Sequence, residues 1–485
     1  MTASAQPAGS VLPSPKRRSQ GIALRRGLTL LGMSVLIPGS AQLAVGKRNV
    51  GRIALRVWLT LLALVVVALL LLIPFRTQVI GLYANPITLT VLRWLVLALG
   101  VGWVLLVLDA WLIANPGSMS TIGKLVSGGV ALALMVTGGS VSWAVSGLFA
   151  AQSKLVSNIF TGGGSAEVEN GRLNILLMGG DAGADRQGLR PDSMTVASID
   201  ADTGRTVLFS LPRNLQHAPF PADHPLHAKY PNGYFCHVED LADACLLNGV
   251  YTLAEQNKKL FPGVKYPGAE TTAAVVGETL GLKINYWAMI DLKGFQQLID
   301  AVGGIRLDIG KKVPIGSLHG PKGVYGWIQP GKNVKLDGFH ALWFARSREY
   351  STDYERMIRQ KCVMNAMLKQ LNPTTVLTKF QDIAAAGEQI VATNLPSDQI
   401  GTALDLAMKG KAVPMASVSF TPPLIVPMDP DFAKIRTVVA DKIADSEALD
   451  AHPESTASPS GSASPKAKKT STQTDDLDSV CKVSA

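Results

Sequence analysis

Hydrophobic positions follow two different patterns along this chain. Before about residue 150 they fuse into long runs, and after about residue 172 they break into short ones. The long runs are Ile53–Phe75, with no charge between Arg56 and Arg76; Ile87–Ala114, with Arg93 and Asp109 near its ends; and Val126–Ala150, rich in Gly, Ala and Val. Each is long enough to cross a hydrocarbon core of ~30 Å as a helix of about 20 residues, so three transmembrane helices are predicted. The first run starts too late, and the others are too long, for a cleavable signal peptide. A further apolar stretch, Gly27–Val45, contains Pro38-Gly39 and has Lys and Arg on both sides. Basic flanks mark the cytoplasmic side of a membrane, so this stretch is expected to lie in the interface or dip in and return. Three crossings then place the rest of the chain outside the cytoplasm.

The short runs predict alternating strands and helices. Leu173–Met178, Met194–Ile199, Thr206–Leu211, Tyr286–Asp291, Ile305–Ile309 and Ser417–Phe420 read as strands, with Asp202-Thr203-Gly204 as a turn. Leu253–Phe261, Ala269–Leu280, Phe295–Val302, Phe339–Ala345, Asp353–Leu371, Gln399–Lys409 and Phe432–Ile443 read as helices, with Gly281 and Gly303-Gly304 as stops. The order implies an α/β fold, a mixed central sheet with helices on both faces. The predicted organisation is a disordered cytoplasmic segment at 1–21, a membrane region at 22–150, a linker at 151–171 around Thr161-Gly-Gly-Gly-Ser165, a globular domain at 172–445, and a disordered Ser/Pro/Lys-rich tail at 446–485.

Charge sharpens this division. Residues 1–150 carry 12 Lys and Arg against one acid, a balance of +11, and residues 151–485 carry 34 against 35, a balance of −1. The basic excess therefore belongs to the membrane region. A nucleic-acid reader would carry it on the globular part, so that class is excluded. The four cysteines, Cys236, Cys245, Cys362 and Cys481, contain no CxxC pair, which removes zinc-ribbon and thioredoxin-like readings. Outside the cytoplasm a Cys236–Cys245 disulfide is one pairing, with Cys362 either a rival partner or a buried free thiol.

The polar residues that carry chemistry fall in two stretches. Asp181 follows Gly179-Gly180 at the carboxyl end of the first predicted strand, where the active groups of α/β folds collect. Arg190 and Asp192 straddle Pro191, which favours extension in the residue before it, so their side chains point the same way. Arg213 ends the strand Thr206–Leu211 after Pro212. Arg346 and Arg348 would diverge on a helix but share a face in an extended segment, so both are expected just past the helix Phe339–Ala345, reaching one anion together. Thr352 and Glu355 form a capping box, and on the helix it opens Asp353, Arg356 and Gln360 share one face. Arg359 is expected to pair with Glu355 four residues earlier. Each feature alone has an ordinary reading as a turn carboxylate, a surface ion pair or a basic helix end. Together, arginine forks suit phosphate oxygens, and carboxylates among them suit magnesium or manganese. His217, His224 and His227 offer a loose metal-like spacing in a Pro-rich loop without a carboxylate pattern, and no P-loop, HExxH or GxSxG motif occurs.

Between Leu173 and Leu371 the order of motifs resembles the LytR–CpsA–Psr family. Its pattern is a strand leading to Gly-x-Asp, Arg-x-Asp-(Ser/Thr)-Met, Ser-(Ile/Leu)-Pro-Arg, Arg-x-Arg, then Asp-x-x-Arg-x-x-x-Gln. Here the matching positions are Asp181, Arg190 with Asp192, Ser210 to Arg213, Arg346 with Arg348, and Asp353, Arg356 and Gln360. Asp291–Gly304 is similar to that family's strand–helix–Gly-Gly segment. The resemblance implies an α-β-α sandwich with an apolar lipid pocket. It also implies a membrane-anchored phosphotransferase moving a glycopolymer from a polyprenyl-pyrophosphate carrier to a peptidoglycan acceptor. By the same resemblance Asp181 and Asp192 would hold magnesium or manganese. Arg190, Arg213, Arg346, Arg348, Arg356 and Gln360 would hold the pyrophosphate. Asp353 would orient arginines or help deprotonate the acceptor hydroxyl. Two positions depart from the pattern. Asn214 stands where an Asp is frequent, and Leu247 where a Lys is frequent, which leaves Lys229 as a substitute phosphate contact. A pyrophosphatase releasing the glycan to water and a non-catalytic scaffold binding lipid-linked glycan are the rival readings.

Overall fold

The computed structural model of the protein describes residues 15–71, 85–159, 170–181, 190–236, 245–316, 323–370, 391–451, 473–474 and 476–482. The chain divides into two compact units, residues 1–154 and 155–485.

In the first unit α1 (Pro15–Leu36) is followed by a short α2 (Ser40–Ala44), then α3 (Arg48–Leu71), α4 (Pro86–Ile113) and α5 (Thr121–Ile159). Three helices are long and apolar enough to cross a membrane, over Arg48–Leu71, Pro86–Ile113 and Thr121–Lys154. The chain breaks between α1 and α2 at the Pro38-Gly39 step the sequence singles out. Gly39 adopts φ 93°, and a Cβ there would lie 2.7 Å from the carbonyl oxygen of Gly51. This approach of α2 to α3 needs glycine. Asp109, a carboxylate within α4, is met by Lys47 Nζ at 2.6 Å, and Gln42 Nε2 donates to the Leu106 carbonyl at 2.9 Å. Were these helices to cross a membrane, their charged and polar groups would need such partners. The α5 helix runs to Ile159, so residues 151–159 of the expected linker are helical; the Gly-rich segment itself lies outside the described residues.

The second unit is built on a seven-stranded mixed sheet. Its strands are β1 (Arg172–Asp181), β2 (Arg190–Asp200), β3 (Thr206–Leu211), β4 (Tyr286–Asp291), β9 (Val391–Thr393), β10 (Ala416–Ser419) and β11 (Gln473–Thr474), in the order β11-β10-β3-β2-β1-β4-β9. The β1/β4 and β3/β10 pairs are parallel and the others antiparallel. Two small two-stranded sheets pair β5 (Ile305–Ile309) with β8 (Gly331–Leu336) and β6 (Val313–Gly316) with β7 (Val324–Ile328).

Period-two alternation sorts the side chains of the large sheet. Leu176, Met178, Val196, Phe209 and Trp287 enter a core with α6 (Gly249–Gln256), α7 (Pro267–Leu280) and α12 (Phe432–Ala451). Leu177, Ala197 and Leu208 face the other way, with Met364 and Leu368 of α10 (Asp353–Gln370) and Leu477 of α13 (Leu477–Cys481). The remaining helices are α8 (Leu292–Ala301), α9 (Gly338–Arg346) and α11 (Ile400–Gly410). Buried side chains of α8, α9 and α10 form a second core with the small sheets. Helices thus cover both faces of a mixed sheet, the α-β-α sandwich that the sequence implies.

Boundaries differ in instructive places. The helix expected at Leu253–Phe261 starts earlier, at Gly249, and ends at Gln256, followed by a 3-10 turn at Lys258–Leu260. The helix expected to stop at Ile443 runs to Ala451, because Asp450 bonds Arg205 at 2.7 Å and Glu447 faces the buried Arg172 guanidinium at 3.7 Å. The segment after 445 is therefore not wholly a disordered tail. Besides the end of α12, β11 pairs with β10, and α13 joins α10 through a Cys362–Cys481 disulfide. Cys236 pairs with Cys245, the pairing weighed from sequence.

Candidate active site

The site is assembled at one end of the sheet by the ends of β2 and β3 and by the turn between α9 and α10. In the β1–β2 ladder Gly179 pairs with Ser193 but Gly180 with Pro191, so Asp192 is the extra residue of a bulge. A bulge re-aims its side chain and ends regular pairing. Pro191 lies beside this bulge, before the pairing of β2 with β3 begins at Met194, the kind of place where a strand tolerates proline. Deeper in, Thr195 and Ser210 are cross-strand partners joined by a buried hydroxyl pair at 3.0 Å, which holds β2 in register with β3 below the bulge.

Three guanidiniums gather around Asp192. Arg213, just past β3, donates from Nη1 to Asp192 Oδ1 at 2.7 Å. Arg348 Nη2 stands 3.9 Å from Asp192 Oδ2. Arg356, whose side chain is only 3% exposed, donates from Nη1 to the Asp192 carbonyl at 3.2 Å. Arg356 also grips Asp353 with both edges of its fork, Nε to Oδ1 and Nη2 to Oδ2, each at 3.1 Å. Arg348 Nε lies 3.4 Å from the same Oδ1. Burial, then the like charges of Arg356 and Arg213, pull the Arg348 pKa below its ordinary value, against the opposing pull of Asp353 and Asp192. Three fixed positive charges on two carboxylates leave an excess suited to an anion.

The helices hold this arrangement locally. The capping box forms as read: Thr352 Oγ1 accepts from Glu355 N, and Glu355 Oε2 from Thr352 N, both at 3.1 Å. Arg359 departs from its expected pairing with Glu355. It donates from Nε to the Phe344 carbonyl at 2.7 Å and from Nη2 to the Ser347 carbonyl. Those are carbonyls at the end of α9, which lack helical partners. Arg359 thus pins the turn bearing Arg348. An arginine one helix after a polar helix end is the signal that could have revealed it.

The other expected site residues are placed as follows. Asp181 is the last residue of β1 and pairs through its backbone with Arg190. Arg190 is exposed at the start of β2, close enough for its charge to act on the Tyr234 phenol. Arg346 is still helical, the last residue of α9, and its guanidinium lies over the Trp343 ring at 5.8 Å. It therefore does not share an extended face with Arg348. Gln360 is half-buried one turn beyond Arg356. Leu247 is fully buried, and Lys229 lies over the Tyr230 ring at 5.4 Å; no described contact brings Lys229 to the cluster. The three histidines serve the loop that carries them: His217 stacks on Phe235, His224 packs between Phe220 and Phe261, and His227 Nδ1 meets the Phe220 carbonyl at 3.0 Å.

The donor chemistry fits a hard divalent cation in kind. Asp192 Oδ1 is engaged, but Oδ2 is beyond hydrogen-bond reach of the Arg348 nitrogen 3.9 Å away. Among the described residues no group of three or more His, Cys, Asp or Glu converges. A cation here would take its remaining ligands from phosphate oxygens and water, as magnesium commonly does.

Comparison with known proteins follows the same span of chain. Residues 150–422 match the model of the LytR_cpsA_psr family. A Bacillus cereus protein named polyisoprenyl-teichoic acid–peptidoglycan teichoic acid transferase TagU is 26% identical over 230 residues, 47% of this chain and 62% of its own length. An Oceanobacillus iheyensis protein of the same name is 27% identical over 239 residues, 49% of this chain and 63% of its own. The chain thus spans less than two thirds of either relative. The crystal structure of Bacillus subtilis TagV superposes with a TM-score of 0.39 and 21% identity, over 57% of this chain and 99% of that one.

Proposed function

The chain belongs to the LytR–CpsA–Psr family, and from that membership and the arginine cluster at Asp192 we propose that it is a membrane-anchored phosphotransferase. It moves a glycopolymer from a polyprenyl-pyrophosphate carrier to peptidoglycan, on the outer face of the membrane. What supports this most is the convergence of Arg213, Arg348 and Arg356 on Asp192 from three separate elements. The relatives named as teichoic acid transferases support the same reaction class.

The steps follow from charge. A hydroxyl of the acceptor sugar attacks the phosphorus that bears the glycan, a new P–O bond forms, the bridging P–O bond breaks, and polyprenyl phosphate leaves, its freed oxygen taking up the hydroxyl's proton. Such transfers leave little covalent work for the protein; stabilising charge on the bridging and leaving oxygens is the main task. Arg213 and Arg348 are half-exposed, so they meet the pyrophosphate in this reading. Arg356 is buried and acts from beneath, with Asp353 holding its fork. With both oxygens in contact with arginine nitrogens, Asp353 orients the forks of Arg356 and Arg348 in this reading. Asp181 and Asp192 would hold magnesium or manganese, which supplies further neutralisation of phosphate charge. Arg190, Arg346 and Gln360 complete the pyrophosphate contacts in this reading. The membrane helices keep the enzyme in the carrier's own plane, which raises effective concentration.

The test is incubation of the full-length protein in detergent with a synthetic polyprenyl-pyrophosphoryl saccharide, a peptidoglycan oligomer and magnesium, with products read by mass. Saccharide joined to the oligomer through one phosphate is expected, slowed by ~10²–10³ in Arg348→Ala, the loss typical of one charge-stabilising donor. Release of the saccharide phosphate to water alone would show a pyrophosphatase, and no turnover with intact carrier binding would show a scaffold.

A further inference from the structure

Two residues beyond Arg348 the chain holds a large ring out of the fold. Tyr350 is 69% exposed and adopts φ 56°, a left-handed backbone that a bulky residue takes only at a cost. Its ring lies 5.7 Å from that of Trp327 on β7. The buried face of the β6–β7 ribbon carries Ile315 and Ile328, so alternation turns Trp327 and Tyr325 together to the other side. Tyr325 is 69% exposed and meets Trp343 edge-on at 6.3 Å. Cations lie over the same rings: Lys312 Nζ over Trp327 at 4.6 Å and the Arg346 guanidinium over Trp343 at 5.8 Å.

This shelf has the make-up of a sugar-binding surface. A pyranose presents a face of C–H bonds, slightly positive, that settles on electron-rich rings. Its rim of hydroxyls can accept from an ammonium such as that of Lys312. Aromatic rings alone would suit a lipid interface equally, but Lys312 brings a donor that hydroxyls can use. Position matters as much. Tyr350 is two residues from Arg348, within about 7 Å along the chain, so the shelf continues outward from the arginine cluster. We propose that Trp327 and Tyr350, with Tyr325 beside them, form a stacking platform for a pyranose oligosaccharide next to the phosphoryl site. The inference rests on the transferase reading only for its two candidate sources: the glycan on the carrier, or the acceptor glycan.

The test is calorimetric titration of the full-length protein in detergent with two probes, muramidase-released peptidoglycan oligosaccharides and the synthetic polyprenyl-pyrophosphoryl saccharide. Trp327→Ala and Tyr350→Gly should each weaken binding of one probe tenfold or more, and the probe affected identifies the source. Glycine accepts the left-handed backbone at 350 without strain, so Tyr350→Gly should unfold no earlier than the wild type, and its loss of binding is not misfolding. Variants that bind both probes within twofold of wild type overturn the platform, even where phosphotransfer is observed. Variants unchanged for sugars but released from phosphatidylglycerol vesicles also overturn it, and assign the rings to the membrane surface. Loss of sugar binding in a protein that transfers nothing leaves the platform standing and removes the transferase reading instead.

Discussion

Lys361 carries an ammonium group into the interior, 3% exposed, with Nζ 3.2 Å from Ser417 Oγ. Burial pulls its pKa down to about 7, against ~10.4 in an unfolded chain. Between those values the unfolded chain holds a proton that the folded one lacks, so stability rises with pH across that window. Below pH 7 both states are charged and the full cost of burial remains. Lys361→Met should therefore stabilise the protein at pH 6 by on the order of a few kcal/mol, and the gain should fade towards pH 10. Urea unfolding of both proteins at pH 6 and 9.5 checks this; a gain that stays constant with pH would place its origin elsewhere. The sequence gives no hint of this lysine, because its helix reads as amphipathic and burial comes from β10 packing over it. The site residues were more legible. Asp192, Arg213, Arg348, Asp353 and Arg356 stand in short motifs whose residue types already suggest phosphate. What sequence could not supply is aim. Asp192 is turned by a bulge that no alternation encodes, and Arg346 stays helical because Arg359, from the following helix, holds the last carbonyls of α9 in place.

At the scale of elements, strongly periodic segments were readable and weakly periodic ones were not. Tyr286–Asp291 and Ile305–Ile309 form at the bounds read from their apolar alternation. The strands β6, β7, β8, β9 and β11 were missed, since all are short, β6 and β7 are interrupted by Pro or Gly, and β8 and β11 are mostly polar. The β11–α13 segment is the largest such case. Leu477 is 1% exposed, its amide donates to the Met415 carbonyl at 2.9 Å, Asp478 accepts from Asn365 at 2.7 Å and pairs with Lys369, and Cys481 is bonded to Cys362. All but one of these partners lie on α10, the helix of Arg356. Cys481→Ser should lower unfolding stability by about 2–5 kcal/mol, the usual loss for a native disulfide. Guanidinium unfolding monitored by near-UV dichroism measures it, and an unchanged midpoint would show the segment to be a passive appendage.

The whole molecule separates its charge as it separates its tasks, +11 before residue 151 and −1 after. Three apolar helices with basic flanks fit an outward-facing second unit in the proposed topology. A phosphatase reporter that works only after export should be active when fused after Ile159, and activity there of a reporter that works only in the cytoplasm would reverse the orientation. The order of strands also bears on how the protein is made. One edge strand of the sheet, at residues 473–474, leaves the ribosome after every other described strand, so until then the row of amides and carbonyls along β10 has no cover. A nascent chain stalled before that point would present an adhesive border to its neighbours, and Cys362 would be without its Cys481 partner.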